Sequence, residues 1–157
     1  MRCSILSGTG NRTSSASMGL PAYCCAVRPM SPGGRTEGAP VPDTVTIAVD
    51  FVGGDEGAAV MQRGVNQALS ADPYLHVIAV GRAEDGVEAM ASTHERVRAQ
   101  VVTEAIAMDE HPASAVRAKK DSSIVVGCRL VKEGSAQGFF SASSTGACLA
   151  AATMVLG

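Results

Sequence analysis

Apolar residues fall along this chain in blocks of two kinds. Val45-Thr46-Ile47-Ala48-Val49-Asp50 and Leu75-His76-Val77-Ile78-Ala79-Val80 are short, rich in β-branched residues and almost continuously apolar. That is the pattern of strands covered on both faces. Between them Ala58, Met61, Val65, Ala68 and Leu69 recur at helical spacing, and Asp72-Pro73 ends the helix. Residues 83–92 read as a weaker helix. Over 97–103, Val97, Ala99 and Val101 alternate with Arg98, Gln100 and Val102, which predicts a third strand with partial cover. A fourth apolar run starts near Ala136 and ends on Phe139-Phe140, and an Ala/Leu/Met helix then carries on to Leu156.

Local signals punctuate these blocks. Pro112 suits the first position of a helix, with 109–111 as its capping region. Asp121 or Ser122 caps a further helix that turns Ile124, Val125, Cys128, Leu130 and Val131 inward, and Gly134 stands where a C′ glycine belongs. Ser143, Ser144 and Thr145 are all competent N-caps for the last helix. Strand–helix alternation of this kind predicts an α/β fold: three layers, a mostly parallel sheet with helices on both faces. A doubly wound sheet normally runs on beyond the helix where this chain stops. The sequence therefore reads as truncated, with its next strand unpaired and open to self-association.

Residues 1–43 change the picture of domain organisation. They hold five of the seven prolines, six of the seventeen glycines and three of the five cysteines, with no amphipathic period. Such a segment buries too little apolar surface to offset its chain entropy, so it is expected to be a disordered N-terminal extension, and residues 44–157 the folded domain. No continuous apolar core follows Arg2, so a signal peptide is not indicated. The domain carries nine Lys/Arg against thirteen Asp/Glu, and Phe51, Tyr74, Phe139 and Phe140 are its only aromatics. That acidic balance, without a stacking surface, excludes nucleic acid as a partner. The longest apolar run, Ala147–Leu156, falls short of the ~18 residues of a membrane span. Cys3, Cys24, Cys25, Cys128 and Cys148 form no CxxC pair and are odd in number, which argues against disulfide frameworks and zinc sites and fits a reducing cytoplasm.

Candidate chemistry gathers at strand ends. The strand that ends on Phe139-Phe140 turns through Ser143-Ser144-Thr145-Gly146 into a helix, a geometry that aims backbone N–H groups and the positive end of the helix dipole at one point. A phosphate or an oxyanion suits that point, and an ordinary capped helix explains the residues equally well. Gly53-Gly54-Asp55, after the first strand, lacks the GxGxxG spacing and reads as a plain turn or as a backbone approach to a ligand. Lys119-Lys120 is either a solvated face or a pair that steers an anion onto the helix start at Asp121-Ser122. In a parallel sheet the loops at Gly53-Gly54-Asp55 and Ser143–Gly146 both lie at the carboxyl edge. With Lys119 or Lys120 they are expected to form one anion pocket. His76 sits in an apolar strand and reads as structural, His94-Glu95 is not HExxH because Arg98 holds the place of the second His, and His111 is either a helix-start residue or one raised in pKa by Asp109 and Glu110. Cys148 reads as packing. Neither a triad nor a metal-ligand set is present.

Taken in order, several runs carry a resemblance. Ile47-Ala48-Val49-Asp50-Phe51-Val52-Gly53-Gly54-Asp55 opens the domain. Met108-Asp109-Glu110-His111-Pro112 leads to Lys119-Lys120-Asp121-Ser122-Ser123 at its middle, and Phe140-Ser141-Ala142-Ser143-Ser144-Thr145-Gly146 comes near its end. Over about residues 44–157 the chain resembles the amino-terminal half of the bacterial phosphate acyltransferases of phospholipid synthesis, the PlsX family. The resemblance implies transfer of an acyl chain from acyl carrier protein to inorganic phosphate, with no cofactor and no metal. It also implies a homodimeric, Rossmann-like α/β protein similar to isopropylmalate dehydrogenase and phosphotransacetylase, cytoplasmic and peripherally associated with the membrane. A fragment of this kind is expected to be inactive alone. The rival reading is a non-catalytic anion- or nucleotide-binding module, or a degenerate remnant.

Overall fold

The structure, a computed structural model, describes residues 23–27, 44–52 and 57–157. Strand β1 is Tyr23–Val27, β2 is Val45–Asp50 and helix α1 is Ala58–Ala71. Strand β3, Leu75–Gly81, is followed by a single 3-10 turn at Ala83–Asp85 and by α2, Val87–Thr93. Strand β4 is Val97–Val101, and two helices follow it, α3 at Pro112–Ala118 and α4 at Ser123–Lys132. Strand β5, Gly138–Ser141, leads into α5, Thr145–Leu156. The expected strands and helices all form, with β4 two residues shorter than the alternation allowed.

The helix ends show why. Pro112 occupies the first turn of α3 with His111 as N-cap, a position where its missing N–H costs no hydrogen bond. At the end of α4, Gly134 adopts φ 80°. Its N–H reaches the Val131 carbonyl at 3.1 Å, and the Ser135 N–H reaches that of Leu130 at 2.9 Å. This paired closure needs a left-handed residue at the Gly134 position, which glycine supplies without a Cβ clash.

The five strands lie in the order β1-β5-β2-β3-β4. Strands β2, β3, β4 and β5 are mutually parallel, so the sheet is the parallel, three-layer α/β arrangement expected. Strand β1 differs. It pairs antiparallel with β5, Tyr23 opposite Ser141 and Val27 opposite Gly138, with a bulge between Cys24 and Ala26. This strand lies within the segment expected to be disordered, and it covers the outer edge of β5. The rest of residues 1–43 lies outside the described residues. The chain steps outward from β2 to β3 to β4 and then crosses back to place β5 on the other side of β2. The carboxyl ends of β2 and β5 thus flank a topological switch point, where open α/β sheets bind ligands.

Alternation along the strands sorts the core into two layers. Ala48, Ile78, Val80 and Phe139 face α3, α4 and α5. Val49, Val77 and Ala79 face Val65 and Leu69 of α1 and Val87 and Met90 of α2. Gly127 of α4 sets the depth of the first layer, since a Cβ there would stand 2.2 Å from Cε2 of Phe139. Only a glycine lets the helix come so close to that ring.

Candidate anion site at the sheet switch point

Asp50 is the last residue of β2 and is fully buried. A carboxylate at the end of an apolar strand needs donors to replace lost water, and three are present. Oδ1 accepts the Val52 N–H at 2.9 Å. Oδ2 accepts the Ser141 hydroxyl at 2.8 Å and lies 3.1 Å from the Ser143 hydroxyl. The two serine oxygens are 2.7 Å apart, and Ser141 Oγ also accepts the Ser143 N–H at 3.1 Å. Each hydroxyl has one proton, so Ser143 donates either to Asp50 or to Ser141. The effect is to pin the turn after β5 to the end of β2.

That turn leads directly into α5. Ser144 is its N-cap, with Oγ accepting the Ala147 N–H at 3.4 Å. The first α-helical bond runs from the Cys148 N–H to the Ser144 carbonyl at 3.0 Å. Thr145 and Gly146, both exposed, are the first two helical residues, whose N–H groups have no acceptor within the helix. A Cβ on Gly146 would stand 2.9 Å from Cγ of Pro112, so the start of α3 abuts the start of α5. Of the expected caps, Ser144 serves α5, while Ser143 faces Asp50 instead.

A second polar cluster braces the loop between β4 and α3. The Lys119 ammonium donates to the Ala105 carbonyl at 2.7 Å and to Glu110 Oε1 at 2.5 Å. Glu110 also accepts the Ala107 N–H at 2.8 Å. The Lys119 ammonium, helped by that N–H, holds the Glu110 carboxyl below the usual carboxylate range. Asp121 accepts both the hydroxyl of Thr103, at 2.6 Å, and its N–H, at 2.9 Å, and these bonds hold its carboxyl low as well. Ser122 is the N-cap of α4, yet its hydroxyl turns back to the Lys119 carbonyl at 2.9 Å. His111 places Nδ1 3.4 Å from the Ser114 hydroxyl.

Among the residues singled out from sequence, Ser143, Ser144, Thr145 and Gly146 thus form one connected turn. Lys119 is engaged with the 105–110 loop and not with that turn, and Lys120 is exposed. Gly53, Gly54 and Asp55 lie outside the described residues. Asp50 and Ser141 escaped the sequence reading. The signal for Asp50 was available, a charged residue closing an apolar strand, but its partners lie 91 and 93 residues away. Cys148 is buried in the layer between α5 and the sheet, as a packing residue would be. Among the described residues no three His, Cys, Asp or Glu side chains converge in a way that could hold a metal ion, and no helix is long and apolar enough to cross a membrane.

A family profile described as "Fatty acid synthesis protein" matches residues 45–157, the segment from β2 through α5 that carries the switch point and both polar clusters. The chain belongs to this family. Curated relatives named phosphate acyltransferase come from Alcanivorax borkumensis, 43% identical over 116 residues, and from Desulfitobacterium hafniense, 48% identical over 113 residues. Another, from Heliobacterium modesticaldum, is 47% identical over 116 residues. Each alignment covers 71% of this chain and 34% of the relative. The chain therefore spans about a third of the length of the phosphate acyltransferases that it matches, and the acyltransferase family of lipid synthesis is the context in which its switch-point turn is to be read.

Proposed function

We propose that this chain supplies the phosphate-holding part of an acyltransferase site that transfers a fatty acyl group from acyl carrier protein to inorganic phosphate. In that reaction a phosphate oxygen attacks the thioester carbonyl, a C–O bond forms as the C–S bond breaks, and the electron pair leaves on the carrier-protein thiolate, which takes up a proton. Phosphate is already an anionic nucleophile near neutral pH, so the task is to hold it in place and to stabilise the developing oxyanion. The observation that carries the reading is the Ser143–Gly146 turn. It lies at the switch point, presents the exposed Thr145 and Gly146 at the start of α5, and is tied to the buried Asp50 through two serine hydroxyls. In this reading Gly53, Gly54 and Asp55 also serve phosphate binding, and Lys120, exposed and without the ion pair that engages Lys119, is the steering cation. The whole enzyme works as a homodimer, cytoplasmic and peripheral to the membrane, and this chain alone does not complete the thioester side of the site.

A phosphate titration followed by backbone chemical shifts tests this. Shifts centred on Ser144, Thr145 and Gly146 are expected, weak and saturable, and Asp50→Ala should reduce them several-fold by releasing the turn. Shifts confined to Arg96 and Arg98 would show an anion seeing only surface charge and would end the proposal. With acyl carrier protein present, no thiol should be released by this chain alone.

A further inference from the structure

Beside the turn, between α1 and the sheet, lies an open cleft of about 450 Å³ with no polar side chain in its lining. Ile47 and Val49 of β2 and Phe140 of β5 form its floor, and Val60, Gly64 and Ala68 of α1 form one wall. The register gives its direction. Leu75, at one end, is level with Val45, while Ala142, at the other, follows Ser141, the residue after the Val49–Phe140 pair. The cleft thus runs along the strands for six residues, roughly 20 Å at ~3.3 Å per residue. Spread over that length, its volume has a mean cross-section on the order of 20 Å². Apolar groups in contact stand about 4.0–4.5 Å apart, so a hydrocarbon chain laid along the strands fits the trough in contact with its walls.

The ends of the cleft differ. Ala142 stands between Ser141 and Ser143, the two serines that meet Asp50, so the Ala142 end opens at the proposed anion turn. The rest of the trough is apolar to its far end at Leu75. A ligand that fits has a polar, anion-accepting head and one long unbranched apolar tail. We infer that the cleft between α1 and strands β2 and β5 receives the alkyl chain of the acyl group, with the acyl carbonyl at the Ser141–Ser143 turn. This rests on the acyltransferase reading above and adds to it the place where chain length is measured. Gly64 marks the wall, since a Cβ built there meets no atom within 4 Å, so a larger side chain at 64 enters the cleft without displacing the fold.

The test uses the full chain and straight-chain fatty acids from hexanoate to hexadecanoate, each below its micelle concentration, with calorimetry and methyl chemical shifts. Binding is expected at one site, tightening roughly two- to fourfold per added methylene, as burial of a methylene predicts, and levelling off once the cleft is full. The methyls of Ile47, Val49 and Val60 should report it. Gly64→Leu, which also favours the helix, should weaken the longest acids tenfold or more and leave the phosphate shifts at Thr145 and Gly146 in place. Unchanged hexadecanoate affinity in Gly64→Leu would overturn the inference. So would affinity independent of chain length, or the same methyl shifts arising from protein concentration alone, which would mean that a second copy covers the cleft. Loss of the chain-length series with phosphate shifts intact overturns the cleft. Loss of both overturns the reading of the site.

Discussion

Two glycines on opposite faces of the sheet sit in helices and have opposite surroundings. Gly127, in α4, has the Phe139 ring where its Cβ would be, with Cε2, Cδ2 and Cζ all within 3 Å of that position. Gly64, in α1, has nothing within 4 Å. The face carrying α3, α4 and α5 is filled to contact, whereas the face carrying α1 keeps an apolar cleft beside β2 and β5. The cleft is open to solvent, with Gly64 and Ala68 of its α1 wall exposed, so the two faces differ in how far the helix closes on the sheet. One face is built for rigidity and the other leaves room for a ligand. The filled face fixes the turn at the switch point, and the unfilled one leaves space that opens onto it.

The sharpest test of that contrast is Gly127→Ala. Alanine favours a helix by about 1 kcal/mol over glycine, but overpacking of a tight core costs about 1–3 kcal/mol and occasionally more. With three ring atoms inside 3 Å, the steric cost is expected at the upper end, for a net loss of about 2 kcal/mol in urea unfolding. Adding Phe139→Leu should recover part of that loss. A stabilised Gly127→Ala protein would show that α4 is free to move off the sheet and would erase the distinction between the faces.

How much of this was open to sequence reasoning follows from the range of each interaction. The strands at 45–50 and 75–81 were legible because alternate residues enter different core layers while both faces are covered, which leaves an unbroken apolar run. Pro112, Gly134 and Ser144 were legible because their roles are set within four residues. Strand β1 was not. Tyr23–Val27 lies between Pro21 and Pro29 and is a strand through pairing with β5, more than a hundred residues away. The same limit hid Asp50, whose serine partners come from the other end of the domain, and it misdirected Lys119. Its place in Lys-Lys-Asp-Ser-Ser points to a steering cation, whereas the fold folds it back onto Glu110 and the Ala105 carbonyl. The turn was readable as a helix start, and what holds it to the sheet was not.

At Gly64 the sign reverses. Gly64→Ala adds a methyl in open space and removes backbone freedom from the unfolded chain, so stability should rise by about 0.5–1 kcal/mol. The measurement is the same urea midpoint used for Gly127→Ala. Destabilisation would mean that α1 closes on the sheet in solution and that the cleft is filled by the protein itself.

The smallest effect concerns what holds each face, and acid separates the two. The end of α1 is tied to the sheet by Arg96, whose guanidinium donates to the carbonyls of Leu69, Asp72 and Leu75 at 2.6, 2.7 and 3.1 Å. The loop over the filled face is held instead by Glu110 and Asp121, both with pKa lowered in the fold. A carboxyl whose folded pKa lies below its unfolded one adds stability above the unfolded value, and that contribution is lost as pH falls through the folded one. Between about pH 6 and the ordinary carboxylate range the brace should be unchanged. Below that range Glu110 and Asp121 take up protons, and the Lys119–Glu110 pair and the Thr103–Asp121 bonds weaken. Amide shifts of Thr103 and Ala107, which donate to these two carboxylates, should therefore move with midpoints below the usual values for Asp and Glu. Methyl shifts of Val60 and Val65, beside the cleft, should stay still over the same range. If the α1 methyls moved first, acid would be acting on the face with no ionisable group in its cleft lining, and the contrast between a carboxylate-held face and a guanidinium-held one would fall.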